Sequence, residues 1–248
     1  MPDGRGEGSI PARGGSFPTT RWSLVFAVGG TSVSSGEALQ SLCRTYWPPV
    51  YSYARYRGYS ADQAEDLTQG FFTKLLEKNY VQQADQERGK FRTFMLSSFK
   101  NYMANEWDRA QAEKRGGGQW LVSLDFEDAE RGIRVDPADN KTPETIFAER
   151  WARTLLDQVM DQLRRDMVRA GNGERFEHLK GYLTGAEPGP AYKQLASELG
   201  MTEGAVKVSV HRMRQRFARL LRKEVEHTVE DEDAVAGEIR YLIEALGS

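Results

Sequence analysis

The stretch Tyr192–Leu221, YKQLASELGMTEGAVKVSVHRMRQRFARLL, limits what this chain can fold into more than any other. Tyr192, Leu195, Ala196 and Leu199 recur at i, i+3, i+4 and i+7, the apolar stripe of a short amphipathic helix. Gly200 supplies a stop, and Thr202 is suited to cap a second helix from about Glu203. In that helix Val206, Val210, Met213, Phe217, Leu220 and Leu221 form one inward stripe. At about 100° per residue, Val208, His211, Arg212, Gln215 and Arg219 project from the opposite side. A helix-turn-helix unit needs this arrangement: one stripe stays in the core while the N-terminal half of the second helix enters a DNA major groove. Val208 could then meet a thymine methyl, Lys207 and Arg212 could reach phosphates or guanine edges, and His211 a base or a phosphate. Taken alone, the segment is also compatible with a helical hairpin that has a solvated basic face.

Charge is segregated along the chain in a way the net formal charge of −2 conceals. Residues 191–223 hold eight Lys or Arg and two acids, whereas 224–248 hold one and eight. Residues 88–115 hold seven and three, and 121–149 hold three and eight. Two basic blocks alternating with two acidic ones imply separate surfaces with different partners. The second basic block coincides with FRTFMLSSFKNYMANEWDRAQAEKR, where Phe91, Phe94, Met95, Phe99, Tyr102, Met103 and Trp107 recur at helical spacing. Most of that stripe is expected in the core. Any aromatic face left exposed between Arg88, Lys90, Arg92, Lys100, Arg109, Lys114 and Arg115 would suit stacking of unpaired bases.

The rest of the chain reads as helices punctuated by Gly and Pro. Residues 1–16 lack the apolar core of a signal peptide and read as a flexible tail, and a short helix is expected in FPTTRWSLVFAV. A helix from about Ser35 to Tyr46 should break at Trp47-Pro48-Pro49, with another from about Val50 to Arg57 stopped by Gly58. In SADQAEDLTQGFFTKLLEK, Ser60 can cap, Asp62, Glu65 and Asp66 suit the positive helix end, and Leu67, Phe71, Leu75 and Leu76 face inward. Residues 119–142 read as an acidic linker with a short extended piece at Leu121–Leu124. Thr142-Pro143-Glu144 opens a long helix with the stripe Phe147, Trp151, Leu155, Val159 and Leu163, and RFEHLKGYL forms a short one. At the C-terminus Thr228 can cap a helix whose first turn is acidic and whose stripe is Ile239, Leu242, Ile243 and Leu246. The expected fold is all-α: two small helical domains, residues 17–118 and 143–226, joined by the linker, with an acidic extension over 227–248.

Several classes of function find no support in the residues. The single cysteine, Cys43, sits on an apolar stripe with Leu39, Leu42 and Tyr46 and reads as a buried thiol. His178, His211 and His227 are scattered, and there is neither a phosphate-binding Gly loop after a strand nor a nucleophile–base set. We therefore expect no enzyme, no cofactor and no metal. No apolar run approaches about 18 residues, so we expect no membrane span and a cytoplasmic protein.

With these motifs in hand, the chain resembles the extracytoplasmic-function sigma factors, promoter-recognition subunits of bacterial RNA polymerase, over about residues 17–226. AEDLTQGFFTKL is similar to the family's polymerase-binding helix, which implies core-polymerase contacts at Asp62, Glu65, Asp66, Leu67, Gln69 and Phe72; Gln63 and Gly70 stand where the family has acids. FRTFMLSSFKNYMANEWDRAQAEKR is similar to the helix that melts and reads the minus-ten element, with Asn101 at the family's base-contacting asparagine. The resemblance implies minus-ten contacts at Arg92, Lys100, Asn101, Asn105 and Arg109. The opening stretch is similar to the helix-turn-helix that reads the minus-thirty-five element, implying contacts at Thr202, Glu203, Gly204, Lys207, Val208, His211 and Arg212. TTRWSLV, YWPPVYSYARYRGYS and KRGGG resemble a branch with an extra N-terminal helix and a C-terminal extension. The implied partners are core polymerase and promoter DNA, both duplex and melted strand; a regulatory protein partner stays open. The competing reading is a stand-alone helix-turn-helix regulator with a helical sensor domain. It accounts for residues 191–223 but not for the basic, aromatic block at 88–115.

Overall fold

The computed structural model describes residues 33–76, 90–112, 141–184, 191–229 and 232–247. The extra N-terminal helix, the Gly-rich and acidic stretch over 113–140 and its Leu121–Leu124 segment lie outside them. The described residues contain helices and turns and no strand, so the chain is all-α as the periodicity predicts. In chain order the helices are α1 (Val33–Tyr56), α2 (Ala61–Leu76), α3 (Phe91–Ala112), α4 (Pro143–Arg169), α5 (Gly173–Leu179), α6 (Gly181–Thr184), α7 (Tyr192–Glu198), α8 (Glu203–Glu226) and α9 (Glu232–Leu246).

Local signals set most of the helix ends. Gly58, at φ 94°, stops the chain after α1, and Gly200, at φ 62°, makes the turn between α7 and α8; both angles strain any residue with a Cβ. Thr142 caps α4 by accepting from the Thr145 amide, and Thr202 caps α8 by accepting from the Ala205 amide at 3.2 Å. α2 begins with a reciprocal pair. The Gln63 amide donates to Ser60 Oγ, and the Ser60 amide donates to Gln63 Oε1 at 3.0 Å. Gln63, which replaces an acid of the resembled pattern, thus has a local structural use.

Two expectations fail at α1 and α9. The predicted break at Trp47-Pro48-Pro49 is absent: α1 runs unbroken through both prolines. An internal proline costs about 3 kcal/mol or more in a helix. Here Cys43 and Tyr46 before it, and Val50, Tyr51 and Ala54 after it, enter the same core, so a break would pull one set out of register. Polar ties along α4 hold both halves of α1. The Thr45 hydroxyl donates to Gln158, and Arg150 Nε donates to the Ser52 hydroxyl.

At the other end, Thr228 does not cap α9; its buried hydroxyl donates back to the Val225 carbonyl at the close of α8. α9 buries Val235, Glu238, Leu242 and Ala245, while Ile243, expected inward, is 63% exposed. The buried face is rotated from the purely apolar stripe toward Glu238, because Lys90 and Arg92 meet that carboxylate.

The core does not divide where the linker suggests. One cluster joins α1, α2 and α3 to the first half of α4, through Phe147, Ala148, Trp151, Ala152 and Leu155. Val225, Val229 and α9 complete the same cluster. A second cluster holds Leu163, Phe176, Leu179, Leu195, Val206, Val210 and Met213. α4 therefore belongs to both: its N-terminal half completes the first bundle and its C-terminal half carries the second. α8 likewise reaches both, with Val206, Val210 and Met213 in the second cluster and Val225 in the first.

Ending the chain after Val225 removes Val229, Val235, Leu242 and Ala245 from that interior. A large buried aliphatic contributes roughly 1.5–3 kcal/mol, so the shortened protein should melt well below the full chain when followed by circular dichroism. An unchanged midpoint would make α9 an appendage.

Candidate nucleic-acid interface

Three surfaces carry the residues singled out in the sequence. The first is α7–α8. Leu195, Ala196, Val206, Val210 and Met213 are buried, which fixes the opposite side of α8 toward solvent. Phe217, Leu220 and Leu221 are only partly buried, since the stripe leaves one cluster as it approaches the other. On the outer side Thr202, Glu203, Gly204, Lys207, Val208, His211 and Arg212 are all exposed, with Val208 at 49%. Lys207 Nζ lies 2.8 Å from Glu203 Oε1, and this hydrogen bond raises the Lys207 pKa and lowers that of Glu203. Pairs of this kind at i,i+4 on a wet surface are weak, so the ammonium can exchange its partner for a phosphate. His211 and Gln215 share a hydrogen bond at 3.0 Å.

The second surface is α3. Phe91, Met95, Phe99, Tyr102 and Met103 are buried and Phe94 is half-buried, so the aromatic stripe is mostly core. Phe99 stands edge-on to Tyr53 and Phe71, tying α3 to α1 and α2. Trp107 departs from the stripe: it is 60% exposed, because α3 runs past the end of the bundle that covers its earlier turns. Asn101 and Asn105 are exposed four residues apart, on one side of the helix. The Arg109 side chain lies outside the described residues. Beside this helix an open cleft of about 850 Å³ is lined by Tyr53, Arg57, Tyr59, Met103, Trp107 and Glu144. Helical periodicity does not bring Tyr53 or Glu144 to this cleft; their meeting with α3 depends on how α1 and α4 pack.

Among the described residues, the cations of α3 are paired. Lys100 Nζ lies 2.6 Å from Glu144 Oε1, and the Tyr53 hydroxyl donates to the same carboxylate at 3.3 Å. The hydrogen bond between them holds the Glu144 carboxyl below its ordinary pKa and raises that of Lys100. Lys90 and Arg92 are paired with Glu238, which is wholly buried.

The third surface is the start of α2. Asp62 and Asp66 are exposed and Glu65 and Gln69 half-exposed, an acidic patch at a positive helix end. Two residues of the expected polymerase contact behave otherwise. Phe72 is fully buried, edge-on to Phe71 at 5.4 Å, and offers a partner no surface. It faces inward because Phe71 and Phe72 fall on the side of α2 that meets both α1 and α3. Leu67 is half-buried against the core. Cys43 lies in the interior, where burial pushes its thiol up to about 12 and keeps it protonated and inert.

Residues 42–113 match the family model of sigma-70 region 2. The match covers most of α1, all of α2 and α3, and therefore the acidic patch, the asparagine pair and Trp107. Over these residues the chain is similar to sigma-70 region 2, a segment associated with promoter recognition by RNA polymerase. Polymerase core and promoter DNA are the partners that such a segment implies. No curated protein and no solved structure matches the chain. Among the described residues, no helix is long and apolar enough to cross a membrane, and no three His, Cys, Asp or Glu side chains cluster as metal ligands.

Proposed function

We propose that the chain is a sigma factor of the extracytoplasmic-function type, working in the cytoplasm with core polymerase and without catalytic groups of its own. In this reading the exposed acids Asp62, Glu65 and Asp66, with Gln69, engage the polymerase. α3 receives the melted minus-ten strand at Asn101 and Asn105, with Trp107 as a stacking face. The outer side of α8 reads the minus-thirty-five duplex with Lys207, Val208, His211 and Arg212. The observation that carries the proposal is the coincidence of the region 2 match with a helix that leaves two asparagines and a tryptophan in solvent. Asn101 and Asn105 project from a different side of α3 than Trp107, and the helix thus offers both the polar groups and the uncovered aromatic that capture of an unstacked base uses.

Reconstitution tests it. Purified core polymerase plus this protein should start transcripts from a defined set of upstream sequences that core alone does not use. Asn101→Ala should spare polymerase binding and reduce permanganate reactivity of promoter thymines. Melting at the level of the unaltered protein would remove α3 from base capture. Absence of any start dependent on this protein would overturn the assignment.

A further inference from the structure

The second half of the chain reaches back onto α3 and takes up its positive charge. The Glu238 carboxylate, with no solvent exposure, lies 2.7 Å from Lys90 Nζ and 2.6 Å from Arg92 Nε. The Arg92 guanidinium also stacks over the Tyr241 ring at 3.5 Å. Eight residues, about two helical turns, beyond Arg92, Glu144 holds Lys100. Between Lys90 and Arg92, the Phe91 amide donates to the Thr228 carbonyl at 3.1 Å. The described cations on this part of the chain, Lys90, Arg92 and Lys100, are thus each paired with a carboxylate from α4 or α9, Lys90 and Arg92 sharing the one on Glu238. These carboxylates come from residues 44 to 148 positions further along the sequence.

We propose that Glu144 and Glu238 form an internal clasp that occupies the phosphate-binding positions of α3 and holds the free protein closed against single-stranded DNA. The inference rests on the reading of α3 as the strand-receiving helix. A carboxylate offers the same anionic acceptor oxygens as a phosphodiester, and Lys and Arg bind both through charge-assisted hydrogen bonds. Exchange of one for the other needs no new cation. It needs α9 to move, because Arg92 is 85% covered and Glu238 wholly so. The buried pair itself adds little net stability over an apolar replacement. What holds α9 down is the burial of Val235, Leu242 and Ala245 in the first cluster. The affinity of the free protein for a strand is then lowered by the fraction of molecules in which α9 has lifted. A partner that lifts α9, or that competes for its seat, would open the site.

The test uses the full chain and a fluorescein-labelled single-stranded oligothymidine, with binding followed by anisotropy across a salt series. Glu144→Gln/Glu238→Gln should bind roughly tenfold tighter than the unaltered protein near 0.1 M salt. Three freed cations should steepen the slope of log affinity against log salt by roughly 2, at about 0.7 per phosphate contact on a single strand. Adding Lys90→Ala, Arg92→Ala and Lys100→Ala should abolish the gain. In the unaltered protein, deuterium uptake over residues 232–247 should rise when the oligonucleotide binds. Should the double variant fold poorly, Glu144→Gln alone, at an exposed position, should still steepen the slope by one contact. Equal affinity and slope would overturn the clasp, as would a gain that survives loss of the three cations. Normal polymerase-dependent transcription alongside equal oligonucleotide affinity would sink the clasp and leave the sigma-factor reading standing. Absence of transcription with core enzyme would sink that reading and the clasp with it.

Discussion

Trp151→Ala should lower the unfolding free energy by about 3–5 kcal/mol, the range for removing a large buried aromatic. Trp151 has no solvent exposure and sits where α4 crosses the first bundle. Its ring centroid is 6.5 Å from that of Tyr241 on α9 and 5.7 Å from the Arg92 guanidinium on α3. One side chain therefore touches three elements from distant parts of the sequence. Among the described residues the buried indole Nε1 has no hydrogen-bond partner, so the ring acts by volume rather than by its polar edge. Trp151→Phe should accordingly cost only about 1–2 kcal/mol, most of it a residual cavity. Urea titrations followed by circular dichroism distinguish the two variants. An alanine variant within about 1 kcal/mol of the unaltered protein would mean that α4 and the first bundle do not share a core.

Asp66→Arg should abolish co-purification with core polymerase while leaving the helical spectrum and melting temperature unchanged. Asp66 is exposed on α2 beside Asp62 and Glu65, so reversing its charge alters the surface proposed for polymerase and no interior contact. Like charges placed across an interface cost several kcal/mol, enough to remove a micromolar complex from a pull-down. Phe72→Ala provides the contrast on the same helix. It should lose about 3–5 kcal/mol of stability, and polymerase binding only as far as the fold is lost. Leu67→Ala should fall between these, below the range for a fully buried leucine, because Leu67 is half-covered. Normal polymerase binding by Asp66→Arg would separate α2 from the polymerase contact.

Much of this molecule was legible residue by residue. The Thr142 and Thr202 caps, the Gly58 and Gly200 stops and the stripes of α4 and α8 follow from interactions spanning at most one or two helical turns. Such energies are written in a short window, and the all-α class and the outward set on α8 came with them. The prolines of α1 show where that window fails. Pro48 and Pro49 carry a strong local penalty, and the helix continues because Tyr46 and Val50 on either side are both wholly buried against distant helices. α9 shows the same limit. Its apolar residues select a face containing Ile243, whereas the folded chain turns Glu238 inward to Lys90 and Arg92, nearly 150 residues earlier. Trp107 falls on the apolar stripe of α3 and Phe72 off that of α2, yet Trp107 lies past the end of the bundle and is exposed while Phe72 is fully buried. The sequence by itself determined which segments are helical and which charges they bear. The tertiary structure decided which charges are available, because a carboxylate and its cation can pair across any sequence distance once apolar packing has brought their helices together.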